Sequence, residues 1–544
     1  METIASPSFF SSSTSLSTVI RRRRCSSRAS ILPDRTSSPS ALRRNFPSSL
    51  CCRASMSNST RTSETEIKKS YPEEFNGSKE FSIMSLSPLD GRYLPKVKNL
   101  RPLFSKYGLL RSRIMVEVKW LIKLSEIPEV EEVPELSVDA RSFLKAIVDK
   151  FSVKDSLEVK KIMEKTNHDV KAVKYFMKRK CESCPEVAKV LEFFHFLCTS
   201  EDIDNLAYAI SLKEALNTVI FPVMVELSEA ISTLAKNNAH IPMLSRTHGQ
   251  PASPTTLGKE MSVFAFRLCN KGEIFSGLHI LGKFAGAVGN YNAHKFAYPN
   301  VNWPSIAEEF VTSLGIEFNA NGTHIEPHDY IVSLFHAIIG FNNIVLNFDR
   351  DIWSYISLGY FKQITKSTEV GSSTMPQKVN PIDFENSEGN LGLANKALSE
   401  LAMRLSISRM QGDLSDYSVL RSTAAGLGHS LLAYLSTLQG IQKLEVNEFR
   451  LNEDLERSWD VLAEPIQIVM RRHGIPGSYE KLKDFTRGKN VTKESITELI
   501  KGLDLSENTK SDLLDLTPSS YTGEAKALAT SLDDAIDPLN GFRI

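Results

Sequence analysis

Residues Gly371-Ser372-Ser373-Thr374-Met375-Pro376-Gln377-Lys378-Val379-Asn380-Pro381 combine a glycine, paired serines, two prolines and one lysine. Glycine permits a positive φ, each proline fixes its own φ and disfavours helix at the residue before it, and the hydroxyls donate without bulk. The chain must leave helix here, and it presents hydroxyls beside a cation. A Ser-rich turn would have the same composition. A second string, Ser245-Arg246-Thr247-His248-Gly249-Gln250-Pro251, sets an imidazole between a cation and a Gly and Pro break, although a histidine standing alone is more often a satisfied structural group.

Three further strings place polar groups at helix ends. Ser87-Pro88-Leu89-Asp90-Gly91-Arg92-Tyr93 is a turn ending in a cation and a phenol, with a surface turn as its plainer reading. Thr166-Asn167-His168-Asp169 interrupts a helical pattern, where a capping or interhelical hydrogen-bond cluster would suffice. Thr199-Ser200-Glu201-Asp202 has the order a helix N-terminus wants, and free N–H groups at such an end also bind anions. The two-residue spacing of His324, Glu326 and His328 suggests metal ligands, but Pro327 interrupts it and hydrogen bonding is the better reading.

The elements that must carry these groups are helices. Ile114, Val118, Leu121 and Leu124 recur at steps of three and four from Leu110, and Ile331, Leu334, Ile338, Phe341, Val345, Phe348 and Ile352 extend one apolar face for about six turns. Leu206–Leu234 and Leu257–Leu281 read similarly, with Pro222 expected to kink or break the first. Strand-like alternation is scarce and no apolar run approaches membrane-spanning length, so no membrane is expected. A chain of 544 residues exceeds one hydrophobic core. The expected division is 83–198, an N-terminal helical domain; 199–443, a central long-helix bundle carrying the 371–381 loop; and 444–544, a smaller helical domain.

The first 53 residues are rich in Ser and hold nine Arg against two acids, the composition of a transit peptide. Ser content and the Cys51-Cys52-Arg53-Ala54 string favour a plastid address, with removal near Ala54 and a polar, disordered lead-in over 54–82. From a whole-chain net charge of +1, the remainder is left at about −6, which argues against nucleic acid as a partner. Cys181, Cys184, Cys198 and Cys269 remain as expected free thiols, because an isolated Cys-x-x-Cys is weak evidence for zinc or redox chemistry.

The loop and the His248 string, together with Gly286–His294, Ile325–Tyr330 and Asp383–Asn390, resemble the adenylosuccinate lyases of the aspartase/fumarase superfamily, from about Ser87 to the C-terminal region. The resemblance implies an all-α, three-domain homotetramer whose active sites are each assembled from three subunits. It implies β-elimination of fumarate from adenylosuccinate, giving AMP, and from SAICAR, giving AICAR, in purine synthesis, without metal or organic cofactor. Such a reaction needs a base beside a carboxylate, a stabiliser for the carbanion and an acid for the leaving nitrogen. The resemblance makes Ser372 the base, His248 the acid, Lys378 the source of positive potential and Glu385 the group that orients His248. It assigns substrate binding to Arg92 and Tyr93; Asn167, His168 and Asp169; Thr199 and Ser200; Ser373, Lys378 and Asn386; and Ser418, Val419, Leu420 and Arg421, with Arg421 as the phosphate ligand.

The chain departs from the pattern at three substrate-contacting positions. Gly412 stands where bacterial relatives have Arg, Tyr417 replaces a small hydroxyl residue, and His324 replaces a common Gln. Two other readings therefore stay open: an argininosuccinate lyase-like enzyme, suggested by Gln377, and a weakened paralogue acting as a structural or partner subunit, suggested by Gly412 and Tyr417.

Overall fold

The computed structural model describes residues 82–365, 373–412, 415–532 and 542–544, with backbone alone at 415–417. The expected transit peptide and lead-in up to 81, the base candidate Ser372 and the Tyr417 side chain lie outside the described residues. Compactness divides the chain between Glu74 and Phe75, and the unit from Phe75 onward holds all the elements below.

The apolar faces legible in the sequence are buried. Helix α1 (Lys106–Leu124) buries Leu110, Ile114, Val118, Leu121 and Leu124. Its neighbours α2 (Val153–Thr166) and α3 (Asp169–Cys181) meet at Asn167 and His168. Helix α4 (Ser200–Ala215) continues through a π turn, Leu216–Ile220, into α5 (Phe221–Asn237). Pro222 sits in the first turn of α5, so the wide turn takes up the hydrogen bond that a proline cannot donate.

A hairpin, β1 (Pro242–Thr247) with β2 (Gln250–Thr256), leads into α6 (Leu257–Ser276). This helix stops five residues before the expected Leu281, because the chain beyond Gly277 straightens to pair β3 (Leu281–Gly282) in parallel with β4 (Glu317–Phe318). Helix α7 (Asp329–Leu358) runs 30 residues and buries all seven positions of the face read from Ile331 to Ile352.

After β5 (Phe361–Gln363) comes α8 (Ile382–Leu405), followed by α9 (Ser415–Leu420) and α10 (Thr423–Ile441). Helices α7, α8 and α10 pack together, as do α5 and α6. Then β6 (Leu444–Val446) returns to pair antiparallel with β5, and α11 (Glu448–Glu456) opens the C-terminal helices. One hydrophobic cluster joins helices on both sides of Cys198, whereas Leu455, Trp459, Ile466 and Leu482 close a second cluster with the later helices.

The expectation that no apolar run reaches membrane-spanning length is corrected. Ser200–Asn237 and Asp329–Leu358 pass that test by length and composition, with mean hydropathies of 1.4 and 1.6. Half or slightly more of each apolar window is buried inside the protein, the pattern of a bundle core helix.

Candidate active site

A cleft of about 430 Å³ opens where α3, α4 and the segment after α9 converge. Asn167, His168, Asp169, Thr199, Ser200, His324 and Arg421 all line it. Local chemistry explains each position. Asn167 takes the left-handed conformation (φ 50°) that ends α2, and His168 caps α3 by accepting from the Lys171 N–H at 3.3 Å. Thr199 and Asp202 form a capping box at the start of α4. The capping alternatives raised for these strings therefore hold, and the same residues face the cleft: a cap fixes where a polar side chain stands.

Buried charge fixes the floor. Arg113, on α1, is 3.3 Å from Asp169 and 2.5 Å from Asp204. Burial opposes its charge, but the two carboxylates raise it above its ordinary value and keep the guanidinium cationic. Asp169 also lies 3.9 Å from the exposed Arg421, which holds two guanidiniums around one carboxylate at the mouth. Sequence reading missed Arg113 and Asp204. The available signal was Arg113 and Glu117 at i, i+4, both buried on a helix otherwise read by its apolar face.

The loops behind the cleft are pinned to α4. Asp202 pairs with the fully buried Lys283 at 3.0 Å and accepts from the N–H groups of Ala285 and Gly286. His324 donates or accepts through Nδ1 at 2.7 Å from the Ala287 carbonyl; since a carbonyl only accepts, Nδ1 carries the proton and Nε2 is the open ring nitrogen. Glu326 is buried and its carboxyl is pushed up to about 7 by desolvation, against two contacts from Asn319 Nδ2. His328 is buried with Nδ1 unpartnered, and burial lowers it to about 4. The three residues of the metal reading thus occupy different environments. Among the described residues no group of three His, Cys, Asp or Glu is placed to hold a metal ion.

Gly412 adjoins this region, because Thr323 and Ile325 both donate to the Gln411 carbonyl. Its φ is +136°, and a Cβ would stand 2.6 Å from Ile325 Cγ2. The backbone has taken a course suited to glycine.

Tyr93 is no surface turn residue: its hydroxyl donates to Asn386 Oδ1 at 3.1 Å, and Asn386 donates to Ser436 at 2.8 Å. The exposed Arg92 guanidinium lies 5.7 Å from the Tyr93 ring centroid. Of the 418–421 segment, Leu420 is buried in the main core, Val419 packs against it, and Ser418 lines a neighbouring groove with Arg409.

The proton-transfer candidates stand apart from the cleft. Thr247 pairs with Gln250, so His248-Gly249 is a two-residue hairpin turn with φ values of 53° and 76°, as a type I′ turn requires. His248 is exposed at the tip with no hydrogen-bond partner among the described residues. Lys378 is likewise exposed, and its ammonium has no partner there. Ser373 lies 3.5 Å from the Thr374 hydroxyl. Glu385 accepts from Trp353 Nε1 at 3.3 Å, so the expected Glu385–His248 pair is not made within one chain. Lys378 and Glu385 flank the start of α8, while Gly412 and Arg421 follow its end. Its 24 residues span about 36 Å.

The chain matches a family model described as Lyase over residues 91–394 and one described as Adenylosuccinate lyase C-terminal over 408–522. Adenylosuccinate lyases of Haemophilus influenzae and Escherichia coli K12 are each 53% identical to it over 451 residues, 83% of this chain and 99% of theirs. Among solved structures it is similar to a fumarate lyase from Mesorhizobium sp. BNC1, with a TM-score of 0.64 at 17% identity over 80% of this chain and 97% of that one. It is also similar to the 3-carboxy-cis,cis-muconate lactonizing enzyme from Pseudomonas putida, with a TM-score of 0.62 at 18% identity over 80% and 96%. At such identities the structural likeness concerns the fold.

Proposed function

The chain belongs to the adenylosuccinate lyase family of the aspartase/fumarase superfamily, and on that premise we propose how its residues divide the work. It is a C–N lyase that releases fumarate from adenylosuccinate and leaves AMP. The single observation that carries the division is the cleft in which Asn167, His168, Asp169, Thr199, Ser200, His324 and Arg421 meet. It collects the donors and cations that a phosphate and two carboxylates require. Arg421 takes the phosphate, and the open Nε2 of His324 accepts a hydrogen from substrate. SAICAR, whose succinyl group is also borne on a nitrogen and whose ribotide also carries a phosphate, uses the same groups.

The chemical step then needs a base and an acid at the substrate. Ser372 removes the proton beside the carboxylate, Lys378 supplies positive potential for the developing negative charge, and His248 protonates the leaving nitrogen. A serine is a poor base at its ordinary pKa, which is why a cation in the same loop matters.

The exposed, unpartnered His248 and Lys378 and the length of α8 support a site completed by other copies of the chain, hence a homotetramer with active sites shared between subunits. Glu385 then meets His248 of a neighbouring copy. Residues 1–53 serve as a plastid transit peptide; their basic, Ser-rich composition and a family match that begins only at residue 91 support that reading.

The test is fumarate and AMP formation from adenylosuccinate by the protein lacking residues 1–53, beside its Ser372→Ala variant. Turnover that vanishes in the variant assigns the base; equal turnover in both removes Ser372 from the mechanism. A monomer by light scattering with full activity would contradict shared sites.

A further inference from the structure

We infer that Asp454 is a positioning residue that ties the His248 hairpin and the root of the signature loop to one carboxylate. Asp454 lies on α11 and is 9% exposed. Its Oδ2 receives hydrogen bonds from both Arg246 Nη2 and the Tyr360 hydroxyl, and Arg246 Nη2 is itself 3.5 Å from that hydroxyl. Arg450 Nη2 stands 3.7 Å from Oδ1, while its Nη1 pairs with Glu453 at 2.7 Å.

The two donors come from the two catalytic elements. Arg246 is two residues before His248 on β1, in a sheet of two strands among the described residues. An isolated hairpin is marginal by itself, so the placement of its tip depends on what holds its base. Tyr360 is fully buried and directly precedes β5, the strand that leads toward the signature loop. From β5, Gln363 Nε2 donates to the Val379 carbonyl at 3.3 Å, one residue past Lys378. On the far side of the loop, Asp383 pairs with Lys443 at 3.0 Å, just before β6. Charge-assisted bonds to a largely desolvated carboxylate are short and directional, so Asp454 fixes both elements rather than only joining α11 to the bundle.

The inference rests on the reading that His248 and the signature loop carry the chemistry. The assay therefore uses the oligomeric enzyme lacking residues 1–53, with His248→Ala and Ser372→Ala alongside. Asp454→Asn keeps the shape, removes the charge and leaves Arg246 uncompensated. The expected result is a fall in kcat of about 10- to 100-fold with KM within about threefold, since misplacement of reacting groups costs rate rather than binding. Asp454→Glu, which keeps the charge, recovers most of the lost kcat, a rescue that a merely space-filling role would not give. Tyr360→Phe removes only the loop branch: kcat falls by less than in Asp454→Asn, again with KM within about threefold.

A kcat within about threefold of the parent in Asp454→Asn, or no recovery in Asp454→Glu, overturns the inference. So does a loss that appears as raised KM alone. If Asp454→Asn does not fold, Arg246→Gln and Tyr360→Phe decide: both must lower kcat, and the double variant must lose less than the product of the two losses. Undiminished turnover in His248→Ala and Ser372→Ala would instead mean that the underlying reading has failed.

Discussion

The cleft between α3 and α4 and the two exposed elements proposed to carry the chemistry are organised in opposite ways. The described lining of the cleft is held by local rules: a left-handed residue ends α2, imidazole and hydroxyl caps start α3 and α4, and Arg113 is locked between two carboxylates. His248 stands at a hairpin tip and Lys378 in an exposed loop, and neither side chain has a partner among the described residues of its own chain. On the proposed reading, binding is prepared within one chain and the chemistry is completed by assembly. Preorganised donors in the first region lose little on binding, whereas the second gains its electrostatic effect when neighbours and substrate exclude water.

The sharpest way to break this contrast is to remove the chemical groups while leaving the cleft intact. Ser372→Ala and His248→Ala should each lower kcat by about two to four orders of magnitude, measured as fumarate release. Mixing the two inactive variants after dissociation and reassembly should restore part of the turnover; no recovery would mean that each chain builds its own site. Arg421→Ala addresses the other region. It should raise KM for adenylosuccinate about 10- to 100-fold with a smaller effect on kcat, and an unchanged KM in steady-state kinetics would remove Arg421 from the phosphate.

Gly412→Arg tests whether the departure from the bacterial pattern is a lost contact or a settled backbone. With φ at +136° and Ile325 Cγ2 at 2.6 Å from the added Cβ, the variant should lose about 1–3 kcal/mol of stability and gain no affinity. A lowered melting temperature with unimproved KM is expected; tighter binding at unchanged stability would make Gly412 a lost ligand.

The smallest effect concerns the buried histidines behind the cleft. His294 and His328 are both lowered to about 4 by burial, so the unfolded chain binds their protons first as pH falls below about 6.5. Stability is then lost between about 6.5 and about 4. Glu326, raised to about 7, acts in the opposite sense: it binds its proton more tightly when folded, so its contribution declines as pH rises from the ordinary carboxyl range to about 7. His328→Asn should flatten the acid side of the stability profile in urea melts at several pH values, and Glu326→Gln the neutral side.

The sequence by itself determined the helical class, the long α7 face from Ile331 to Ile352 and the capping strings at Asn167–Asp169 and Thr199–Ser200, because helix periodicity and capping chemistry act within a few residues, whereas Arg421 came only through the family resemblance. It also carried the signature loop and His248 as strings. Other features were decided only by tertiary structure. Arg113 looks like a charge on an amphipathic helix until Asp169 and Asp204, from two other helices, close around it. Gly412 reads as a missing cation until its φ and the Ile325 side chain show what the backbone there tolerates. Two apolar helices long enough for a bilayer become core helices only through the partners that bury them. Nor does residue order reveal that Arg246 and Tyr360, 114 positions apart, share Asp454. Local rules write helices, caps and turns into the chain; which charges meet depends on packing between segments distant in sequence.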